Sequence, residues 1–202
     1  MRKLKDTLLL FLIGCVVLSC STRKGRSSQE DTLSTAKADT TQTVPEEAQI
    51  YGIAGDGCAM HTLEIITPGH DTLDLNMETA RDSGMIIGDV LVGDHYTVTL
   101  TNDKESVKTA VNLTQIVGKW RLNGRDTGFD LLPDGKATAH NMNGITYSQW
   151  RISGNKLLLR IMNDAGRKEA FSGMDTLYMN DLTADSLIAT RHGRLNAFAR
   201  GK

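Results

Sequence analysis

Aromatic residues make up only 5% of this 202-residue chain, and it has three prolines. So few rings and prolines supply neither a stacking platform for single-stranded nucleic acid nor a proline-rich recognition segment. Charge of one sign is also lacking. The 23 Lys and Arg residues stand against 24 Asp and Glu, leaving a net charge of −1 and no basic field for a polyanion. Nucleic acid is therefore not an expected partner, and a ligand would meet mostly aliphatic and polar groups. Motifs that carry chemistry are absent as well. The sequence has no G-x-S-x-G elbow, no H-E-x-x-H helix, no P-loop and no C-x-x-C pair. Neither an enzyme activity nor a cofactor is expected. The five histidines, His61, His70, His95, His140 and His192, are scattered singly. His70-Asp71 and Asp94-His95 fall at turns and read as solvated turn residues rather than metal ligands. Cys58 and His61 are separated by an odd spacing, which puts them on opposite faces of a strand and argues against a thiol–base pair.

One long apolar run is present, at the N-terminus. "MRKLKDTLLLFLIGCVVLSC" has a basic start at Arg2, Lys3 and Lys5, then an apolar core from Leu8 to Leu18. That core has the length of a signal-peptide h-region and falls short of the ~20 residues that span a bilayer as a helix. Ser19-Cys20 resembles the lipobox at which bacterial lipoproteins are cleaved and acylated on the new N-terminal cysteine. Leu12-Ile13-Gly14-Cys15 fits that consensus better locally, but cleavage there would leave a short apolar core and strand "VVLS" on the mature chain. Residues 1–20 are accordingly read as a lipoprotein signal peptide ending at the lipidated Cys20. The resemblance implies a membrane partner through the N-terminal lipid and a place in the cell envelope, with Ser21 pointing to the outer membrane. At ~0.8 kcal/mol per buried CH₂, three acyl chains anchor permanently. With Cys15 removed and Cys20 acylated, Cys58 is the remaining thiol of three. No intramolecular disulfide can form, and Cys58 reads as a core thiol without chemistry.

Residues 21–48, "STRKGRSSQEDTLSTAKADTTQTVPEEA", have too little apolar surface to offset their chain entropy and read as a disordered tether. At roughly 3.3 Å per residue such a tether reaches several nanometres when extended. From Gln49 onward the hydrophobic period is two. "YTVTL" sets Tyr96, Val98 and Leu100 against Thr97 and Thr99, and "VKTAVNL" sets Val107, Val111 and Leu113 against Lys108 and Asn112. With "QIYGIAG", "MHTLEIIT", "DTLDLNM" and "MIIGDVLVGD" before them, about six strands predict a small antiparallel β-domain over residues 49–112. "METARDSG" allows one helical turn. Beyond it, turn formers recur about every ten residues, from Asn123-Gly124 and Pro133-Asp134-Gly135 to His192-Gly193. That rhythm predicts an up-and-down meander of about eight short strands over residues 113–202, including "KEAFSG", closing into a barrel that removes its edges.

Gly118-Lys119-Trp120 opens this meander and resembles the G-x-W signature on the first strand of lipocalins. "IVGKWRLN", "FDLLPDGKAT" and "YSQWRISGNKLLLRI" follow in the order seen in the bacterial lipocalin-like lipoprotein family. The preceding segment is similar to the small β-domain found before some of these modules. The resemblance implies that Gly118, Trp120 and a basic residue near the last strand, Arg200 or Arg194, close the barrel, with Trp120 as its plug. By strict alternation Tyr147 and Gln149 share one face, while Ser148 and Trp150 share the other. Trp120, Trp150 and Arg160 are the residues expected in the barrel interior or against a ligand. The sequence leaves two functions open: a lipid-anchored module holding a small apolar or amphipathic molecule, or a structural module with a filled barrel that docks another envelope protein.

Overall fold

The computed structural model describes residues 48–162 and 173–201. The leader with Cys15 and Cys20, residues 21–47 of the tether and nearly all of "KEAFSG" lie outside the described residues. Those that are described fall within a single compact unit, Thr43–Lys202, which holds two sheets.

The first sheet contains β1 (Gln49–Ala54), β2 (Thr62–Ile66), β3 (Thr72–Asn76), β4 (Ile86–Ile87), β5 (His95–Leu100) and β6 (Val107–Asn112), with α1 (Glu78–Asp82) between β3 and β4. Its order is β3-β2-β1-β5-β6-β4. The pairings are antiparallel except for β4 on β6. β1, β2 and β3 pair in succession and β5 returns beside β1, which makes a Greek key. A parallel bridge, Asn76 to Ser106, joins β3 to the start of β6 and curls the row toward closure. Without the short β4, the other five strands have the arrangement of a partly open OB-type barrel. Alternation builds its core: Leu63 and Ile65 of β2, Leu75 of β3, Val98 of β5 and Ala110 of β6 turn inward, and Met77 and Ala80 at α1 stop one end.

The second sheet follows α2 (Leu113–Ile116). It comprises β7 (Gly118–Leu122), β8 (Gly128–Leu131), β9 (Ala137–His140), β10 (Thr146–Ser153), β11 (Lys156–Met162), β12 (Gly173–Leu182), β13 (Ser186–Arg191) and β14 (Arg194–Arg200). Every neighbouring pair is antiparallel, and β14 pairs with β7, so the meander wraps round on itself. The ends of the row, β9 and β10, meet at a bridge from Lys136 to Gln149 and at the Trp150 N–H to Gly135 carbonyl bond of 2.8 Å. The expected all-β architecture of a small sheet followed by an up-and-down barrel of eight strands is what the chain forms.

The two sheets are joined at a built junction. Ile87 of β4 and Val111 of β6 leave the first core and pack into the same apolar cluster as Ile116, Trp120 and Leu182. Asn112 caps α2 by accepting from the Gln115 N–H at 2.9 Å. Its amide group faces the Asp94 carboxylate at 2.7 Å and the Tyr96 hydroxyl at 3.0 Å. Gln115 and Asp89 bond reciprocally, backbone to side chain and side chain to side chain, both at 2.9 Å. Gly88, at φ 93°, permits this approach, since a Cβ there would press on Asn112 and Gln115.

Candidate functional site

One end of the second barrel is shut by the residues the sequence singled out. Gly118 opens β7 at φ 145°, where a side chain would be strained, and a Cβ at this position would overlap Arg200 Nη1. Trp120, on the same strand face, is fully buried. The Arg200 guanidinium lies over its ring, 4.5 Å from the centroid. Helix α2 is too short to satisfy its own last carbonyls. Side chains do so instead: Trp120 Nε1 donates to Ile116 O at 2.8 Å, Arg200 Nη2 to Gln115 O at 2.6 Å and Nη1 to Val117 O at 2.9 Å. Arg200 Nε donates to the Ala184 carbonyl in the β12–β13 turn. Of the two arginines suggested by the resemblance, Arg200 is the one brought to Trp120, whereas Arg194 is exposed beside the β13–β14 turn.

Between the ends, the bore is occupied by the protein itself. Phe129, Leu157, Leu159, Leu177, Met179 and Leu187 are among inward side chains at most 5% exposed, and the Phe129 and Phe198 rings meet at 5.2 Å. An eight-stranded barrel is just wide enough for such filling.

Near the opposite end the core holds a polar cluster. Asp175, whose side chain is 2% exposed, faces inward from β12. It accepts from the Tyr147 hydroxyl, from Arg191 Nε at 3.1 Å and from Arg191 Nη2 at 2.7 Å. Burial, then the hydrogen bond and negative charge of Asp175, push the Tyr147 phenol well above its ordinary value of 10.0. Parity along the strands carried the signal for this cluster. Asp175 shares a face with Leu177 and Met179, and Arg191 shares one with Leu187 and Ala189.

Two expectations require correction. Arg160 does not enter the interior: Leu157 and Leu159 occupy the inward positions of β11, so period two sends Arg160 outward, where it is exposed. Strict alternation in β10 also fails. The register slips between Tyr147 and Gln149, so Tyr147 faces Ile161, while Trp150 faces Leu159 on the same inner side. Trp150 is half-buried at the seam, and its Nε1 donates to Leu132 O at 2.9 Å. Trp120 and Trp150 thus both face the barrel core, and Arg160 stands on the opposite side of the wall.

That outer wall carries a depression of about 400 Å³, bordered by Trp150 and Arg160 together with Gln149, Arg151, Leu158 and Met174. A second shallow hollow lies where Trp150 and Pro133 meet Leu113 and His95, and a third, also bordered by Leu113 and His95, is lined by exposed Tyr51, Ile53 and Ile66 of the first sheet. Among the described residues no group of His, Cys, Asp and Glu side chains is placed to hold a metal ion.

Residues 112–201 match the family model described as lipocalin-like. Among solved structures, the chain is similar to a lipocalin-like protein from Bacteroides thetaiotaomicron VPI-5482. The identity is 32%, over 43% of this chain and 97% of that one, with a TM-score of 0.37. A search of curated proteins finds no match.

Proposed function

Since the chain belongs, through residues 112–201, to the lipocalin-like family, we propose that it is a lipid-anchored, non-catalytic binding module of the cell envelope. Its ligand is a small amphipathic molecule, held on the barrel wall rather than in the bore. The observation that carries this reading is the contrast between the two surfaces. The bore is filled by side chains at most 5% exposed, while the outer wall offers an open depression of about 400 Å³ with polar and apolar walls. Cys20 is the anchor, the tether gives the folded part reach from the outer membrane, and Trp120 with Arg200 serves closure rather than recognition.

Native mass spectrometry tests the ligand. The chain from Ser21 onward, exported without acylation and purified without detergent, is expected to carry a reproducible extra mass that leaves on denaturation. A clean mass that stays clean after incubation with envelope lipid extract would defeat the reading. Fatty-acid labelling of the full chain tests the anchor: label is expected to vanish with Cys20→Ala and to survive Cys15→Ala, and the reverse pattern would move the cleavage site.

A second reading, a module that docks another envelope protein, is favoured by exposed Tyr51, Ile53 and Ile66, which lie together on the first sheet. Its signature would be a partner crosslinked at Tyr51 with no small-molecule mass.

A further inference from the structure

The strand registers define what the outer depression presents. Across β10, β11 and β12 they align Gln149, Arg160 and Met174 in one row, and Arg151, Leu158 and Thr176 in the next. Arg151 and Arg160 are therefore diagonal neighbours on one face, about 7–8 Å apart at the backbone. Both are exposed, and neither forms an ion pair with a carboxylate among the described residues. Among the described residues the Arg160 guanidinium has a long 3.5 Å contact with Gln149 Oε1. The carboxylate that borders the depression, Asp134, is already bonded to Lys136 Nζ at 2.6 Å. Among the described residues the two guanidinium groups thus share a hollow whose one carboxylate is engaged by Lys136, and Leu158 and Met174 add apolar lining.

A planar guanidinium presents paired donors that match a carboxylate or phosphate, and two of them facing one site leave little use for a neutral head. We propose that the ligand of this depression is an anionic single-chain amphiphile, bound as a free monomer with its head between Arg151 and Arg160 and its chain over Leu158 and Met174. This inference rests on the ligand-binding reading above and adds the sign and place of the head. The hollow is of single-molecule size and sits on a convex barrel wall, which favours a monomer over a membrane surface.

The test uses the unacylated chain from Ser21 onward, titrated with dodecanoate below its micelle concentration and, in parallel, with dodecanol. Dodecanoate is expected to bind, to move the backbone amide resonances of Gln149–Arg151, Leu158–Arg160 and Met174, and to bind about tenfold or more tighter than dodecanol. Arg151→Gln with Arg160→Gln should lose that preference while the melting temperature stays at the parent value, because both side chains are exposed. Added salt should weaken dodecanoate alone. Equal binding of acid and alcohol, an unchanged affinity in the double variant, or shifts confined to the bore would overturn the charged-head site and leave the ligand-binding reading standing. Binding to phosphatidylglycerol vesicles without binding of the monomer would overturn it in favour of a membrane surface. If neither amphiphile binds and native mass spectra are clean, the ligand-binding reading falls and this inference with it.

Discussion

Arg191→Met should be far more damaging than its surface position suggests, and removing the whole polar cluster should be less damaging than removing that one arginine. Asp175 is 2% exposed at its side chain and Arg191 24%. Deleting the arginine leaves the carboxylate in the barrel, among the described residues, with the Tyr147 hydroxyl and a distant His192, 4.0 Å away and largely solvated. Breaking a buried pair from one side typically costs about 3–5 kcal/mol, whereas replacing the entire set by apolar side chains is often neutral or stabilising. At a urea dependence of about 2 kcal/mol/M, Arg191→Met should lower the unfolding midpoint by roughly 1.5–2.5 M. Asp175→Leu, Arg191→Met and Tyr147→Phe together leave no buried polar atom of the cluster behind, so the triple variant should recover most of that loss. Equilibrium urea unfolding followed by tryptophan fluorescence reads both. A triple variant less stable than Arg191→Met alone would refute the reasoning, because the cluster would then supply more than the avoidance of an unpaired charge.

Three further expectations follow from the same geometry. Gly118→Ala should destabilise by about 2 kcal/mol or more, since it combines strain at φ 145° with displacement of Arg200; acrylamide should then quench Trp120, which is shielded in the parent. Ile87→Ala, a change in the first sheet, should cost about 2–5 kcal/mol and speed amide exchange in β12 as well as β6, because Ile87 belongs to the barrel's apolar cluster; exchange confined to the first sheet would contradict that packing. Tyr147 has a folded pKa above its unfolded value, so its contribution is fully present below pH 10 and declines above it, where the unfolded chain ionises first. The fall in stability between pH 10 and about pH 12 should be shallower in Tyr147→Phe than in the parent.

The strands were legible because most faces alternate cleanly and the turns between them carry Gly, Asn or Asp. Trp120 and Gly118 were legible as a local motif. Arg200 was legible as one of two choices that only the barrel's closure could separate. Three features needed the fold. The register slip in β10 puts Tyr147 and Trp150 on one side, and no residue near Ser148 announces it. Arg160 reads as an interior polar group until Leu157 and Leu159 are seen to take the inner positions of β11. Helix α2 follows six residues of strand and owes its existence to Asn112 at its start and to partners far along the chain at its end. Asp175 is a different case. It shares the face of Leu177 and Met179 in β12, but a carboxylate facing a core makes physical sense only once Arg191 and Tyr147 are known to reach it.

The barrel is a ring fastened by a clasp whose two halves are made at opposite ends of its synthesis. β7 must wait for β14, and Trp120 stays without its cover until Arg200 has arrived to pair with it and lie over its ring. Contacts of such long sequence separation form late. A chain stalled or cut before Arg200 therefore keeps an open β7 edge and an unshielded indole, both of which invite proteolysis. The clasp thus makes closure depend on the strand farthest along the chain from β7: without Arg200 the ring of strands has no fastening at Trp120.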